Sequence, residues 1–376
     1  MDETYMRQAL ALAQYARGRT SPNPMVGAVI VRDGRVVGEG WHRQAGTPHA
    51  EIHALQQAGD LAYKASIYVT LEPCSHHGRT GPCVEALIAA GIAKVIVAMT
   101  DPNPLVAGKG ISRLREAGIE VIEGVLANEA AALNEVFIKW ISTKKPFVLL
   151  KSAMSLDGKI AAYTGHSKWI TGAQSREYVH QLRDTYDAIL VGIGTVLADN
   201  PSLTTRLTHQ GRNPIRVIVD SMARTPVNAN VVTDGLARTI IAVTDKAPQE
   251  KIDVLRNCGV EVMKCKKEAA GVSLSDLFQI LGKEQITSVL IEGGAGINAS
   301  ALEGNLVDKI NWFIAPKIIG GTDAPGPVGG KGIANLKDAR LFEDIDVQTI
   351  GEDLLISAYV RNREGRDVYR TCGRIR

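Results

Sequence analysis

The chain has 376 residues, 45% of them hydrophobic and 22% charged, with 37 glycines and a formal net charge of +3. That length exceeds one ordinary core and suits two domains, and the composition is that of a globular α/β protein rather than a disordered or fibrous one. So small a net charge gives no ground for nucleic acid or an anionic membrane as the main partner. Five cysteines, an odd number at low density, exclude a small secreted disulfide framework. No apolar run approaches the ~20 residues needed to cross a bilayer. The opening MDETYMRQALALAQYA lacks the basic start and apolar core of a signal peptide, so a cytoplasmic protein is expected.

Apolar residues at helical spacing predict an amphipathic helix over about 4–17. Apolar runs follow at MVGAVIV, SIYVT, KVIVAM and IEVIEG, separated by helical stretches such as HAEIHALQQAG and CVEALIAAG. Short strands divided by helices imply a largely parallel, covered sheet. A helix over about 127–143 ends in STKKP, and that stop marks the expected boundary between a domain at 1–145 and one at 146–376. A second α/β series runs through PFVLLK, DAILV, IRVIVD, TIIAV, VEVMK and TSVLIE. DKINWFI and DLLISAYV come after it with little helix between them, so the sheet is expected to finish with antiparallel strands. The basic RNREGRDVYRTCGRIR reads as a frayed tail, and Cys258, Cys265 and Cys372 as ordinary thiols.

Three features of the first domain converge on a metal. His49-Ala50-Glu51 opens a helix after Pro48, Pro73-Cys74 closes a strand, and Cys83 opens a helix after Pro82. One imidazole and two thiolates leave the fourth tetrahedral position of Zn²⁺ to water, as a catalytic site requires. Glu51 stands two residues from His49, close enough to shuttle protons without binding the ion, the division of labour of zinc nucleobase deaminases. The cysteines are spaced C-x8-C rather than C-x2-C, so SHHGRTGP must fold as a compact loop. A structural zinc site is the competing reading, and it would normally supply a fourth Cys or His.

TSPNPMVGAVIV, GWH, PHAE, TLEPCSHHGRTGPC and TDPNP together resemble the bifunctional deaminase-reductase family of riboflavin biosynthesis, over essentially the whole chain. The resemblance implies a cytidine-deaminase-like domain followed by a dihydrofolate-reductase-like domain, with one Zn²⁺ per chain in the first and NADPH in the second. It implies that His49, Cys74 and Cys83 bind zinc, that Glu51 is catalytic, and that Asn23, His42, His76, Arg79 and Asn103 line the substrate pocket. Amides and imidazoles suit a pyrimidinone edge and a guanidinium suits a phosphate. Asn23 and Asn103 also occur in Pro-Asn-Pro turns, where an Asx turn is an equal alternative.

In the second domain VGIGTVLADNP and EGGAGIN place backbone N–H groups where a helix begins beyond a strand, which suits phosphate, although glycines used only for packing remain the alternative. KSAMSLDGKIA, SKWIT, GIGTVLADNPSLTTR, VIVDSMARTP and IEGGAGIN match the family's reductase half in order. The match implies Ala153, Trp169, Thr195, Asp199, Ser221 and Gly294 on the cofactor side, and Ser167, Arg183, Arg206 and Glu292 on the substrate side. Lys151, Asp157 and Glu292 are the ionisable groups expected at the ribose end. Asp220 at a strand end points to NAD in a Rossmann domain, whereas Ser221 and Arg224 beside it suit a 2′-phosphate. The expected whole is a homo-oligomeric enzyme working on a small phosphorylated pyrimidine, with no nucleic acid and no membrane. Two rivals remain. A nucleic-acid base deaminase would need stacking aromatics, which are only 5% of the chain; a degenerate binding module would bind NADPH without turnover.

Overall fold

A computed structural model describes residues 2–75, 81–103, 106–208 and 211–361. The chain divides into two compact units, one ending at Lys144 and the other beginning at Lys145. The basic segment from Asn362 onward, Cys372 included, lies outside the described residues. No helix among the described residues is long and apolar enough to cross a membrane.

The first unit opens with α1 (Asp2–Gln14), where Asp2 and Glu3 complement the N-terminal dipole. Met6, Ala9, Leu10 and Ala13 form its buried face, the i, i+3, i+4, i+7 spacing of an amphipathic helix. The helix ends three residues before the expected limit. β1 (Gly27–Arg32), β2 (Arg35–Trp41), α2 (Ala50–Ala58), β3 (Ser66–Val69), α3 (Cys83–Ala89), β4 (Lys94–Val97), α4 (Lys109–Glu116) and β5 (Glu120–Glu123) follow. The sheet order is β2-β1-β3-β4-β5.

This sheet is mixed rather than largely parallel. β1 runs antiparallel to both β2 and β3, and only β3, β4 and β5 run parallel. The cause is Asp33-Gly34, both at positive φ (51° and 72°), which closes β1 and β2 as a two-residue hairpin; that dipeptide is a strong hairpin signal. Gly27 lets α1 lie directly on β1, since a Cβ there would overlap the Ala9 carbonyl. The helix expected over 127–143 is two, α5 (Ala127–Leu133) and α6 (Glu135–Thr143), broken at Asn134. Asn134 is buried, and its amide accepts from Met25 N–H (2.8 Å) and donates to Met25 C=O (2.9 Å).

The second unit holds β6 (Phe147–Ser155), α7 (Ala173–Thr185), β7 (Ala188–Gly192), α8 (Ile193–Asp199), β8 (Ile215–Val219), α9 (Asn230–Thr233), β9 (Thr239–Val243), α10 (Gln249–Asn257) and β10 (Glu261–Lys264). A small β11 (Lys267–Glu268) and β12 (Gly271–Val272) pair, α11 (Leu274–Lys283), β13 (Ser288–Ile291), α12 (Ala295–Glu303), β14 (Lys309–Ala315), β15 (Phe342–Ile350) and β16 (Asp353–Val360) complete it. The nine-stranded order is β10-β9-β8-β7-β13-β6-β14-β16-β15. From β10 to β14 all pairs are parallel, and β16 and β15 finish antiparallel, as expected. β7, β9 and β13 are buried at every residue, the signature of strands covered on both faces. β15 was not anticipated. Its middle is exposed and carries Asp344 and Asp346, so no apolar face marks it in the sequence.

Candidate active sites

His49 is the N-cap of α2, Cys74 follows β3, and Cys83 is the first residue of α3 behind Pro82. The two sulfurs of the C-x8-C motif meet at one place with the imidazole. His49 Nδ1 lies 3.2 Å from Cys83 Sγ and 3.5 Å from Cys74 Sγ, and all three donor atoms lie within 4.8 Å of one another. Tetrahedral zinc with bonds of about 2.0–2.3 Å separates its ligands by roughly 3.5–3.8 Å, so the cluster fits such an ion. Cys83 N–H also donates to Cys74 Sγ (3.3 Å), as a helix N-terminus does toward a thiolate. Hydrogen bonding from Cys83 is the main cause that holds the Cys74 thiol down to about 4, and the same bond, with burial, pushes Cys83 far up. The pair therefore carries one negative charge between them, and a second requires a cation.

Glu51, in the first turn of α2, is 3% exposed. Burial, then the Cys74 charge, pushes its carboxyl up to about 7. His42 is buried, with its ring edge-on to that of His49 at 5.2 Å. Its Nδ1 faces the Pro48 carbonyl (3.3 Å), which only accepts, so Nδ1 carries the proton and Nε2 accepts from the Asn23 amide (3.1 Å). Burial above all lowers the pKa of His42, consistent with a neutral ring. Asn23, His42, His49 and Glu51 are thus brought together. Asn103 N–H donates to Asp101 Oδ1 (2.8 Å), an Asx turn formed by the Asp101 carboxylate rather than by the Asn103 amide. His76 and Arg79 lie outside the described residues.

The second unit has a cleft of about 300 Å³ that joins Lys151 and Ala153 on β6, Ser167 and Trp169 before α7, Arg183 on α7, Arg206, and Glu292 after β13. At its floor Glu292 accepts from Arg183 Nε (2.7 Å) and Nη2 (3.1 Å) in a two-pronged pair, with Lys151 Nζ at 3.4 Å. These side chains are only 9%, 13% and 14% exposed. Burial alone would raise the Glu292 carboxyl, but Arg183 and Lys151 outweigh it and hold it down to about 2. Lys151 is therefore not a surface lysine. The sequence reading missed His180, which lines the cleft beside Arg183. Its Nδ1 accepts Arg206 N–H (3.2 Å), and burial, then the Arg183 and Arg206 charges, lower it to about 4. One turn before Arg183 on α7, it could have been found only by asking which residues share that helix face.

Thr195, Asp199, Ser221 and Gly294 lie outside that lining. They follow the carboxyl ends of β7, β8 and β13, adjacent strands in the sheet. Gly294 caps α12, and Asp199 ends α8 with its carboxylate 3.5 Å from Lys168 Nζ, next to Trp169. Ser221 Oγ accepts Val272 N–H (3.1 Å). Two carboxylates singled out in the sequence serve the fold instead. Asp157 accepts from Ser155 Oγ, Ile319 N–H and Gly320 N–H, which anchors the loop after β14 rather than reaching the cleft. Asp220 is fully buried and accepts both the N–H and the hydroxyl of Thr225, so it does not present a carboxylate to a ribose.

Residues 1–99 match the family described as the cytidine and deoxycytidylate deaminase zinc-binding region, and residues 146–356 match the RibD C-terminal domain. A riboflavin biosynthesis protein RibD of Actinobacillus pleuropneumoniae is 48% identical over 96% of this chain and 95% of its own. That of Escherichia coli K12 is 44% identical over 94% and 98%. A solved Acinetobacter baumannii RibD superimposes with a TM-score of 0.86 at 40% identity, covering 96% of this chain and 99% of its own. A Thermotoga maritima structure described as a diaminohydroxyphosphoribosylaminopyrimidine deaminase/5-amino-6-(5-phosphoribosylamino)uracil reductase gives 0.84 at 39%, covering 96% and 98%. A cytidine-deaminase-like part followed by a reductase part is found in the expected order.

Proposed function

The chain belongs to the RibD family and is a bifunctional deaminase and reductase of riboflavin biosynthesis, and from that premise we propose two consecutive steps on one phosphorylated pyrimidine. Residues 1–145 hydrolytically deaminate 2,5-diamino-6-ribosylamino-4(3H)-pyrimidinone 5′-phosphate. Residues 146–376 then reduce the ribosyl side chain of the product to ribityl with NADPH.

In this reading His49, Cys74 and Cys83 hold one zinc ion per chain, and zinc so held supplies the Lewis acidity that makes hydroxide accessible near neutral pH. Glu51 takes the proton of the attacking water and returns it to the departing ammonia, a task suited to a carboxyl whose pKa lies near 7. His42 fixes the Asn23 amide, which meets the edge of the pyrimidinone with His76 and Asn103. Arg79 clamps the phosphate.

In the cleft, Lys151, Ser167, Arg183, Arg206 and Glu292 hold the ribosylamino substrate, and Ala153, Trp169, Thr195, Asp199, Ser221 and Gly294 hold the nicotinamide cofactor. That cofactor supplies hydride for the anomeric carbon. Glu292 keeps Lys151 and Arg183 in place, and the Lys151 ammonium would supply the proton that the sugar oxygen gains as the ring opens. The reading includes a cytoplasmic homo-oligomer.

The three-donor cluster with a buried carboxyl beside it carries this proposal. Glu51→Gln should abolish ammonia release while reduction of the deaminated substrate continues. Ammonia release that survives the substitution refutes the role given to Glu51.

A further inference from the structure

Four backbone N–H groups from the segment that carries Asn103 converge on one side chain. Glu72, 3% exposed and two residues before Cys74, accepts Asp101 N–H (3.1 Å) and Gly108 N–H (3.0 Å) at Oε2. Its Oε1 accepts Gly110 N–H (2.8 Å) and Ile111 N–H (3.2 Å). Three of these donors belong to the start of α4, whose own N-cap, Gly108, has no side chain to satisfy them. A carboxylate from another element therefore caps α4, where the helix dipole favours negative charge.

Gly110 makes the approach possible. A Cβ there would overlap the Pro73 carbonyl oxygen and stand 3.1 Å from Glu72 Oε1, so the first turn of α4 rests on the backbone just ahead of Cys74. Asp101 extends the contact toward Asn103: Glu72 holds its backbone, and its own carboxylate accepts Asn103 N–H.

We infer that Glu72 is a positioning residue of the deaminase, a clamp that ties Asp101 and the start of α4 to the backbone just ahead of Cys74 and so sets where Asn103 stands relative to the metal donors. The inference rests on the deaminase reading through Asn103. It assigns Glu72 no contact with substrate.

Glu72→Gln preserves shape but turns an amide NH₂ toward N–H donors and leaves one oxygen for the rest. In the zinc-loaded full chain it should raise the deaminase KM at least tenfold with kcat changed less than threefold. Reductase kinetics should stay unchanged, and amide exchange at Gly108, Gly110 and Ile111 should accelerate. Asn103→Ala added to it should cost less than a further twofold, since Asn103 is already misplaced. An unchanged KM overturns the inference, whether or not exchange accelerates, and so does a full additional effect of Asn103→Ala. If Glu72→Gln does not fold or loses zinc, Gly110→Ala decides, because it presses on the same contact while leaving the Glu72 carboxylate and its charge in the chain. A raised deaminase KM then supports the clamp and an unchanged one overturns it. Absence of ammonia release from the unsubstituted chain would instead sink the deaminase reading, a result separable from the exchange data.

Discussion

Replacing Glu292 by Gln tests the second unit where its charges are most tightly packed. Glu292 meets Arg183 through two hydrogen bonds and Lys151 through one ion pair, all three side chains at most 14% exposed. Removing one member of a buried array leaves the others uncompensated, at about 3–5 kcal/mol. Gln keeps one acceptor oxygen for Arg183, which favours the lower end. The carboxyl pKa gives the same figure: a fall from 4.5 to about 2 corresponds to about 3 kcal/mol at 1.36 kcal/mol per unit. Because the folded pKa is depressed, this stability is present above pH 4.5 and is lost as pH falls toward 2. The assay is urea unfolding followed by the backbone amide signals of β7 and β13, buried strands of the second unit, since two units need not unfold in one transition. With a slope of about 2 kcal/mol/M, the midpoint should fall by roughly 1.5 M while ammonia release keeps its own midpoint. A shift worth less than about 1 kcal/mol would show that Glu292 does not neutralise Arg183 and Lys151.

Stripping the metal with a strong chelator should end ammonia release and leave NADPH oxidation on the deaminated product untouched; parallel loss of both activities would contradict separate sites. His180 should titrate near pH 4, followed by the ring-proton chemical shifts, because burial and then Arg183 and Arg206 oppose its protonation. Its folded pKa lies below the unfolded 6.5, so the stability it contributes is full above pH 6.5 and lost as pH falls toward 4. His180→Asn should flatten that slope, and a ring titrating near 6.5 would refute the assignment.

Periodicity made most of the fold legible, and its failures have identifiable causes. VGAVIV and AILVG are apolar at every position, and SVLI at all but Ser288, because helices cover both faces, so their strands could be read directly. Strand direction is a different matter, since apolar runs carry no sign of parallel or antiparallel pairing. The deciding signal was the Asp33-Gly34 turn rather than the strands it joins. Continuity of apolar spacing also hid the break at Asn134: the helical pattern continues on either side, and only the reciprocal bonds to Met25 show why the amide interrupts it. β15 was unreadable because its exposed middle offers no buried face to alternate.

The metal cluster was legible for the opposite reason, that zinc admits few donor types and two of them stood at helix starts, where backbone geometry aims them, although Cys74 lies five residues past the end of β3 rather than closing it. The cleft of the second unit offers no such restriction. Lys151, Arg183 and Glu292 come from a strand, a helix and a loop that only the sheet order brings together, and likeness to known reductases carried the reading there. Carboxylates near strand ends show how far residue type alone misleads. Asp157, Asp220 and Glu72 each lie near the end of a strand, and each is claimed by donors close by in the fold before any ligand could compete. Glu292 differs because its partners are cations rather than backbone N–H groups, and those cations face the cleft with it. Among these four carboxylates, what separates the structural acids from Glu292 is therefore the identity of their donors. A carboxylate that accepts backbone N–H groups fixes a loop, whereas one that holds Lys and Arg side chains sets the charge of a site.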